Sequence, residues 1–77
     1  MSYDPLLTLI AGALGIAPIE VTEESDSTNT RKWDSLRQMT LMTELETNYG
    51  LELTDQELSE TTSVAKVRAM LRAYGKA

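Results

Sequence analysis

The absence of two residue types constrains this chain most, because its 77 residues include no cysteine and no histidine. Domains of this size often support a small core with disulfide bonds or a structural metal. Disulfides need cysteine, and structural zinc sites are built from cysteine and histidine. The fold must therefore be held together by packed apolar side chains. We expect a single domain over residues 1–77, with one small core.

The same absence argues against an enzyme. A serine nucleophile needs a base to take its proton, usually histidine, and a thiol nucleophile needs cysteine. The carboxylates lie on predicted solvated helix faces and loops rather than as a pair in an apolar pocket. The acidic run 23–26 lacks the glycine and the spaced glutamate of a calcium-binding loop. We therefore expect no catalytic residue and no metal site.

Acidic residues dominate the charge, with Asp+Glu 12 against Lys+Arg 7 and a formal net charge of −5. Such a surface repels nucleic acid phosphates and anionic lipids. No basic segment followed by an apolar run opens the chain, and the lack of cysteine fits a reducing compartment. We expect a cytoplasmic monomer that binds neither nucleic acid nor membrane and whose partners present basic faces.

Helix signals appear first at Asp4-Pro5, an N-cap acceptor followed by a residue suited to the first helical position. The apolar spacing predicts a helix from Pro5 to about Leu14, ended by Gly15. From Ile16 to Trp33 no helical period is present, which predicts a long loop. We expect three apolar residues to attach this loop to the core: Ile16, Ile19 and Val21.

A second helix is predicted to begin at Asp34 or Ser35. Ser35 with Gln38 has the form of a capping box, and Asp34 is itself a good N-cap. Gly50 provides the C-cap. Apolar residues recur at helical spacing between these ends: Leu36, Met39, Leu41, Met42, Leu45 and Tyr49.

Two further helices complete the pattern. Thr54 with Glu57 forms a capping box for a short helix through about Glu60. Ser63 caps a last helix that Gly75 ends. Its apolar face is predicted to consist of Val64, Val67, Met70, Leu71 and Tyr74. The chain therefore predicts an all-α fold, a small bundle of three main helices plus one short helix.

The order of these features resembles the acyl carrier proteins, a family of phosphopantetheine-attachment carrier domains. The resemblance rests on Asp34-Ser35-Leu36 at the head of the second helix, on the segment 49–53 after it, and on the segment 62–64 that opens the last helix. A lone Asp-Ser-Leu would be weak evidence, because serine is a common N-cap. The resemblance covers nearly the whole chain. It implies that Ser35 receives a 4′-phosphopantetheine arm, whose thiol carries an acyl group as a thioester.

The chemistry of the residues agrees with that implication. A chain without cysteine cannot supply the thiol of a thioester itself. Attachment at Ser35 places a phosphodiester at a helix N-terminus, where free N–H groups favour an anion. The implied partners are a phosphopantetheinyl transferase and acyl-loading and acyl-transfer enzymes with basic faces.

Residues around Ser35 are candidates for partner recognition. Asp34 is a good N-cap, and the resemblance implies that it is equally part of the motif that the transferase recognises. Leu36 fits the core and the surface equally well. Met39 is predicted first of all to be a core residue. Carriers of central fatty acid synthesis resemble this chain but have acids where Arg37 and Thr40 stand. The candidate recognition residues are Asp34, Leu36, Arg37, Met39, Glu44 and Glu46.

The reduced acidity of the second helix favours a stand-alone carrier for a dedicated biosynthetic pathway over general fatty acid synthesis. Two alternatives stay open. One is an acidic helical interaction module without a prosthetic group, in which Ser35 is only a cap. The other is an aminoacyl or peptidyl carrier, a class that tends to have glycines before the attachment motif, where this chain has Lys32-Trp33.

Overall fold

The computed structural model describes residues 4–76, which form four α-helices. They are α1 (Pro5–Leu14), α2 (Ser35–Tyr49), α3 (Asp55–Glu60) and α4 (Val64–Ala73), with a 3-10 helix at Pro18–Glu20. Within the described residues the only β-type pairing is an isolated bridge between Asp26 and Ser63. No helix in this part of the chain has the length and apolarity needed to cross a bilayer. The expected all-α bundle of three main helices and one short helix is confirmed.

Local capping fixes the ends of α1 as the sequence predicts. The Asp4 carboxylate accepts hydrogen bonds from the backbone N–H groups of Leu6 (2.9 Å) and Leu7 (3.4 Å). Pro5 occupies the first turn, and Gly15 takes a left-handed conformation (φ 73°) that ends the helix. The helix buries one face in the core.

The start of α2 differs from one of the two expected arrangements. Asp34, not Ser35, is the N-cap, and its carboxylate accepts a hydrogen bond of 2.8 Å from the Arg37 N–H. Asp34 has the extended backbone of a cap residue (φ −99°, ψ −177°), whereas Ser35 is already helical. The predicted Ser35–Gln38 capping box is therefore wrong, because the Gln38 side chain turns into the bundle instead.

Caps at α3 and α4 follow the prediction. Thr54 and Glu57 exchange side-chain to backbone hydrogen bonds of 3.1 and 2.9 Å, which is the predicted capping box. The Ser63 hydroxyl accepts the Lys66 N–H at 3.0 Å at the start of α4. Tyr74 differs from expectation, since it lies beyond the last residue of α4 and is exposed, with its hydroxyl donating to Glu57.

One core joins α1, α2, α4 and the loop before α2. Trp33 is buried, as are Met42 and Met70. Met39 is 45% exposed, so its expected place in the core is wrong: the buried positions of α2 recur from Gln38 to Leu45, and position 39 falls beside that face. The core residues are Leu6, Ile10, Ala11, Leu14, Val21, Trp33, Leu41, Met42, Leu45, Leu51, Val64, Val67, Met70 and Leu71.

Backbone pairing holds the long loop in place. The Ser27 N–H donates to the carbonyl of Thr62, and the Val64 N–H donates to the carbonyl of Ser25, both at 3.0 Å. Val21 is buried as predicted, but Ile19 is 88% exposed, so its predicted attachment to the core is wrong. The loop depends on these hydrogen bonds for its course between α1 and α2.

An ion-pair cluster ties the first and last helices to the loop. The Arg68 guanidinium on α4 lies 2.6 Å from the carboxylates of both Asp4 and Glu23. Hydrogen bonds from Arg68 lower the pKa of Asp4 and the pKa of Glu23 below their usual values. Both carboxylates therefore stay ionised, and the cluster stabilises the fold until acid protonates them.

This cluster predicts a pH-dependent contribution to stability. Replacing Arg68 by Met should lower the free energy of unfolding at pH 7 by about 1 kcal/mol, a small value because the carboxylates are partly exposed. Since folding depresses both carboxyl pKa values, the contribution is complete above the pKa values of the unfolded chain and is lost as the pH falls through the lower values of the folded protein. Urea unfolding of wild type and Arg68→Met at several pH values measures it.

The matched control is Arg72→Met, also on α4, because Arg72 is exposed and forms no ion pair with any residue between 4 and 76. Its effect should be small at every pH. A loss in Arg68→Met that is as large in acid that protonates both carboxyls as it is at pH 7 would contradict the assignment and would point to lost packing by the arginine stem.

Candidate functional site

Ser35 stands at the junction of the long loop and α2. It is the first residue of the helix, and it is exposed. No hydrogen bond joins its hydroxyl to any other residue in the described range. Asp34 performs the capping, so the Ser35 hydroxyl is free to react without loss of a contact that the fold uses.

Two opposite charges flank this hydroxyl. The Arg37 guanidinium lies 3.2 Å from the Asp34 carboxylate. The N–H of Arg37 is the main cause that lowers the pKa of Asp34, and the positive charge of the same residue adds to the effect. Asp34 is therefore an anion near neutral pH, paired with the cation one turn along α2. The immediate surroundings of Ser35 are close to neutral.

The first turn of α2 also has room for an anion. The Asp34 side chain accepts a hydrogen bond from the Arg37 N–H, and the Asp34 carbonyl accepts one from the Gln38 N–H. The N–H groups of Ser35 and Leu36 form no hydrogen bond with another described residue. Unpaired amides at a helix N-terminus favour a phosphate oxygen. An exposed, unbonded hydroxyl with free amides beside it fits a phosphodiester-linked group.

A groove of about 440 Å³ opens next to Ser35, between the start of α2 and α3. Its walls combine hydroxyl groups with apolar side chains. The lining residues are Ser27, Trp33, Asp34, Ser35, Gln38, Met39, Leu58, Ser59 and Thr62. A larger groove of about 730 Å³ lies between α1 and α2, but Ser35 does not line it. The smaller groove is therefore the one relevant to a group attached at Ser35.

Some of the predicted recognition residues form one surface with Ser35. Leu36 is 74% exposed, which settles its position at the surface, and Met39 is also largely exposed. Arg37 is partly exposed and is bound to Asp34. Asp34, Leu36, Arg37 and Met39 thus lie within little more than a turn of the attachment candidate.

The two acids farther along α2 do not belong to this surface. Glu44 lies nine residues beyond Ser35, roughly 14 Å along the helix axis. Its carboxylate and carbonyl accept hydrogen bonds from the Asn48 amide. Glu46 is half-buried, and its carboxylate accepts the Leu53 N–H at 3.0 Å. The Glu46 carboxylate therefore has a structural contact in addition to its predicted role in recognition.

Gln38 is the site residue that the sequence analysis missed. The sequence pattern predicts Gln38 to be a capping partner, yet it is buried in the wall of the groove. The sequence does indicate that Gln38 is buried, because positions 38, 41, 42 and 45 follow the i, i+3, i+4, i+7 spacing of one buried face. A polar residue on such a face needs internal hydrogen-bond partners.

Comparison with known families agrees with this geometry. Residues 4–71, from the N-cap of α1 into α4, match the family model described as "Phosphopantetheine attachment site". Domains of this family are carriers rather than catalysts, and they bear a covalently attached 4′-phosphopantetheine. Phosphopantetheinyl transferases modify them, and acyl-handling enzymes are their partners. With most of its length matched, the chain belongs to this family of carrier domains, of the acyl carrier protein type.

Proposed function

We propose that Ser35 is the attachment residue and that the chain carries acyl groups as thioesters. The observation that supports this most directly is the exposed Ser35 hydroxyl, which has no partner among residues 4–76 and opens α2 beside a groove. The attached arm supplies the terminal thiol, a group that this cysteine-free chain lacks. The chain itself presents the hydroxyl, holds it at the helix start and offers two amides to the phosphate.

The other described serines are less suitable. Ser25 is buried, and its hydroxyl accepts the Thr22 N–H. Ser63 caps α4, and the Ser59 hydroxyl donates to carbonyls within α3. Ser27 is exposed in the same groove, but it lies in the loop and has no helix N-terminus beside it. Among the serines between residues 4 and 76, only Ser35 combines exposure, a free hydroxyl and the first turn of a long helix.

We further propose that the carrier serves a dedicated biosynthetic pathway with its own acyl-loading and acyl-transfer enzymes. The surface next to Ser35 supports this, because it has exposed apolar residues at 36 and 39 and the Asp34–Arg37 pair instead of an uninterrupted acidic face. Charges at a docking rim control encounter rate and partner choice. The family match favours a carrier over an interaction module without a prosthetic group.

Attachment at Ser35 predicts a simple result. Incubation of the chain with coenzyme A, magnesium and a broad-specificity phosphopantetheinyl transferase should add the mass of one arm, and Ser35→Ala should add none. Because Asp34 provides the cap, Ser35→Ala should change the free energy of unfolding by less than about 0.5 kcal/mol. Intact mass spectrometry and urea unfolding measure the two effects.

The matched control for this experiment is Ser27→Ala, which removes another exposed serine hydroxyl that lines the groove. This variant should accept one arm at the rate of the wild type. Arm attachment to folded Ser35→Ala would refute the assignment, and so would a wild type that stays unmodified.

Partner choice leads to another prediction. Arg37→Asp with Thr40→Glu makes the start of α2 acidic and should improve loading of the arm-bearing protein by a malonyl transferase of central fatty acid synthesis. We expect association to be roughly tenfold faster at low salt, with the gain fading at high salt as ions screen the charges. Loading kinetics at two ionic strengths measure this.

A control with the same change in net charge is Arg72→Asp with Ala69→Glu, at two exposed positions of α4. It should gain much less, because its new acids lie away from Ser35. Efficient loading of the wild type, or an equal gain in both double variants, would remove the basis for a dedicated pathway.

A further inference from the structure

A buried polar cluster closes the inner end of the groove beside Ser35. Gln38 of α2 is its centre, with 6% of its surface exposed, and Trp33 beside it is 3% exposed. The Gln38 side-chain oxygen accepts a hydrogen bond of 2.6 Å from the Trp33 indole N–H. The Gln38 amide nitrogen donates to the carbonyls of Leu58 and Thr61, each at 3.0 Å. These bonds join the loop, α2 and the C-terminal part of α3.

This cluster separates the groove from the core. Trp33, Gln38 and Leu58 line the groove on one side. Leu41, Met42 and Leu45 share the buried face of α2 with Gln38, are fully buried and do not line the groove. The Thr61 hydroxyl contributes to the same barrier, donating to the Glu57 carbonyl at 2.7 Å and contacting the Met70 sulfur at 3.7 Å. Among the residues that line the groove, Trp33 and Gln38 are the two that are buried, so an apolar chain that moves from the groove along the buried face of α2 has to displace Gln38.

Displacing Gln38 has a high energetic cost. The indole N–H and the Thr61 carbonyl would lose their partner at buried positions, the Leu58 carbonyl would lose it at a part-buried one, and the Gln38 amide would need a new partner. Every fully buried side-chain nitrogen and oxygen in residues 4–76 has a hydrogen-bond partner, so none of these side-chain atoms is available as a new partner. Short acyl groups bury too few methylenes to offset it.

We propose that Gln38 is a specificity-determining residue: it keeps the acyl cargo of the arm in the open groove and out of the core, so that longer chains gain no stabilisation from burial. This inference rests on the proposed attachment at Ser35. It assigns Gln38 a role beyond stabilising the fold, because the hydrogen bonds that hold α2 to α3 are also the barrier to the core.

The test uses the full chain loaded from acetyl-, butyryl-, hexanoyl- and octanoyl-coenzyme A by a broad-specificity phosphopantetheinyl transferase. For wild type, the melting temperature should stay within about 1 °C across the series, because the added methylenes stay in the groove. For Gln38→Met, which replaces the amide by an apolar group of similar length, the melting temperature should rise by several degrees from acetyl to octanoyl. Gln56→Met, on the exposed surface of α3, is the matched control and should behave as wild type.

A second readout needs only the wild type, in case Gln38→Met does not fold. Trp33 is the one tryptophan of the chain, so its indole N–H gives a single resonance in NMR spectra. The Trp33 indole and Gln38 side-chain amide resonances should keep their shifts and their protection from exchange between the acetyl and octanoyl forms. Large shifts or lost protection in the octanoyl form would overturn the proposal.

Other outcomes separate this inference from the proposed function. A chain that accepts no arm by intact mass refutes attachment. A chain that accepts the arm but whose wild-type melting temperature rises with each added methylene retains the carrier function and refutes the barrier. A folded Gln38→Met that responds no more than wild type shows that Gln38 does not keep the cargo out of the core.

Discussion

The buried side chain of Gln38 holds together the end of the bundle where the loop, the start of α2 and α3 meet beside Ser35. α3 has no fully buried residue of its own, so apolar packing alone attaches it weakly to α2. Gln38 makes up for this by binding two carbonyls near the end of α3, while the Trp33 indole satisfies its remaining polar atom. A buried amide with all these bonds formed specifies one arrangement of its neighbours, because any other arrangement leaves a polar group unpaired.

The position of Ser35 follows from that arrangement. Trp33 is anchored in the core by burial and by its bond to Gln38, and Asp34 directly after it caps α2. Ser35 is therefore fixed between a buried residue and a helix turn, while its own side chain projects into solvent. Leu36 and Met39 continue the exposed side of the same turns. A reactive hydroxyl that is rigidly placed and accessible suits a residue that a modifying enzyme must find on a folded protein.

The sequence was sufficient for features that depend on residues close together in the chain. Asp4-Pro5, Thr54 with Glu57, Ser63 and the glycines at 15 and 50 all act within a few positions, so the helix ends could be predicted. The function of Gln38 could not, because its partners Leu58 and Thr61 lie 20 and 23 positions away. The contacts of Arg68 span 45 and 64 positions. Such contacts depend on how the helices pack, and one sequence does not specify that packing locally.

Separation of the cap from the proposed attachment residue has an energetic consequence. If a serine capped α2 with its hydroxyl, its oxygen would stop accepting the backbone N–H once it became part of a phosphodiester. Loss of that cap would cost about 1 kcal/mol of stability. Small domains have a net stability of only about 5 to 15 kcal/mol, so each cycle of modification would measurably weaken the fold. Here the Asp34 carboxylate accepts the Arg37 N–H, and the Ser35 hydroxyl forms no hydrogen bond with the described residues. The chain can therefore gain or lose a group at Ser35 while the helix that presents it keeps the same N-terminal cap.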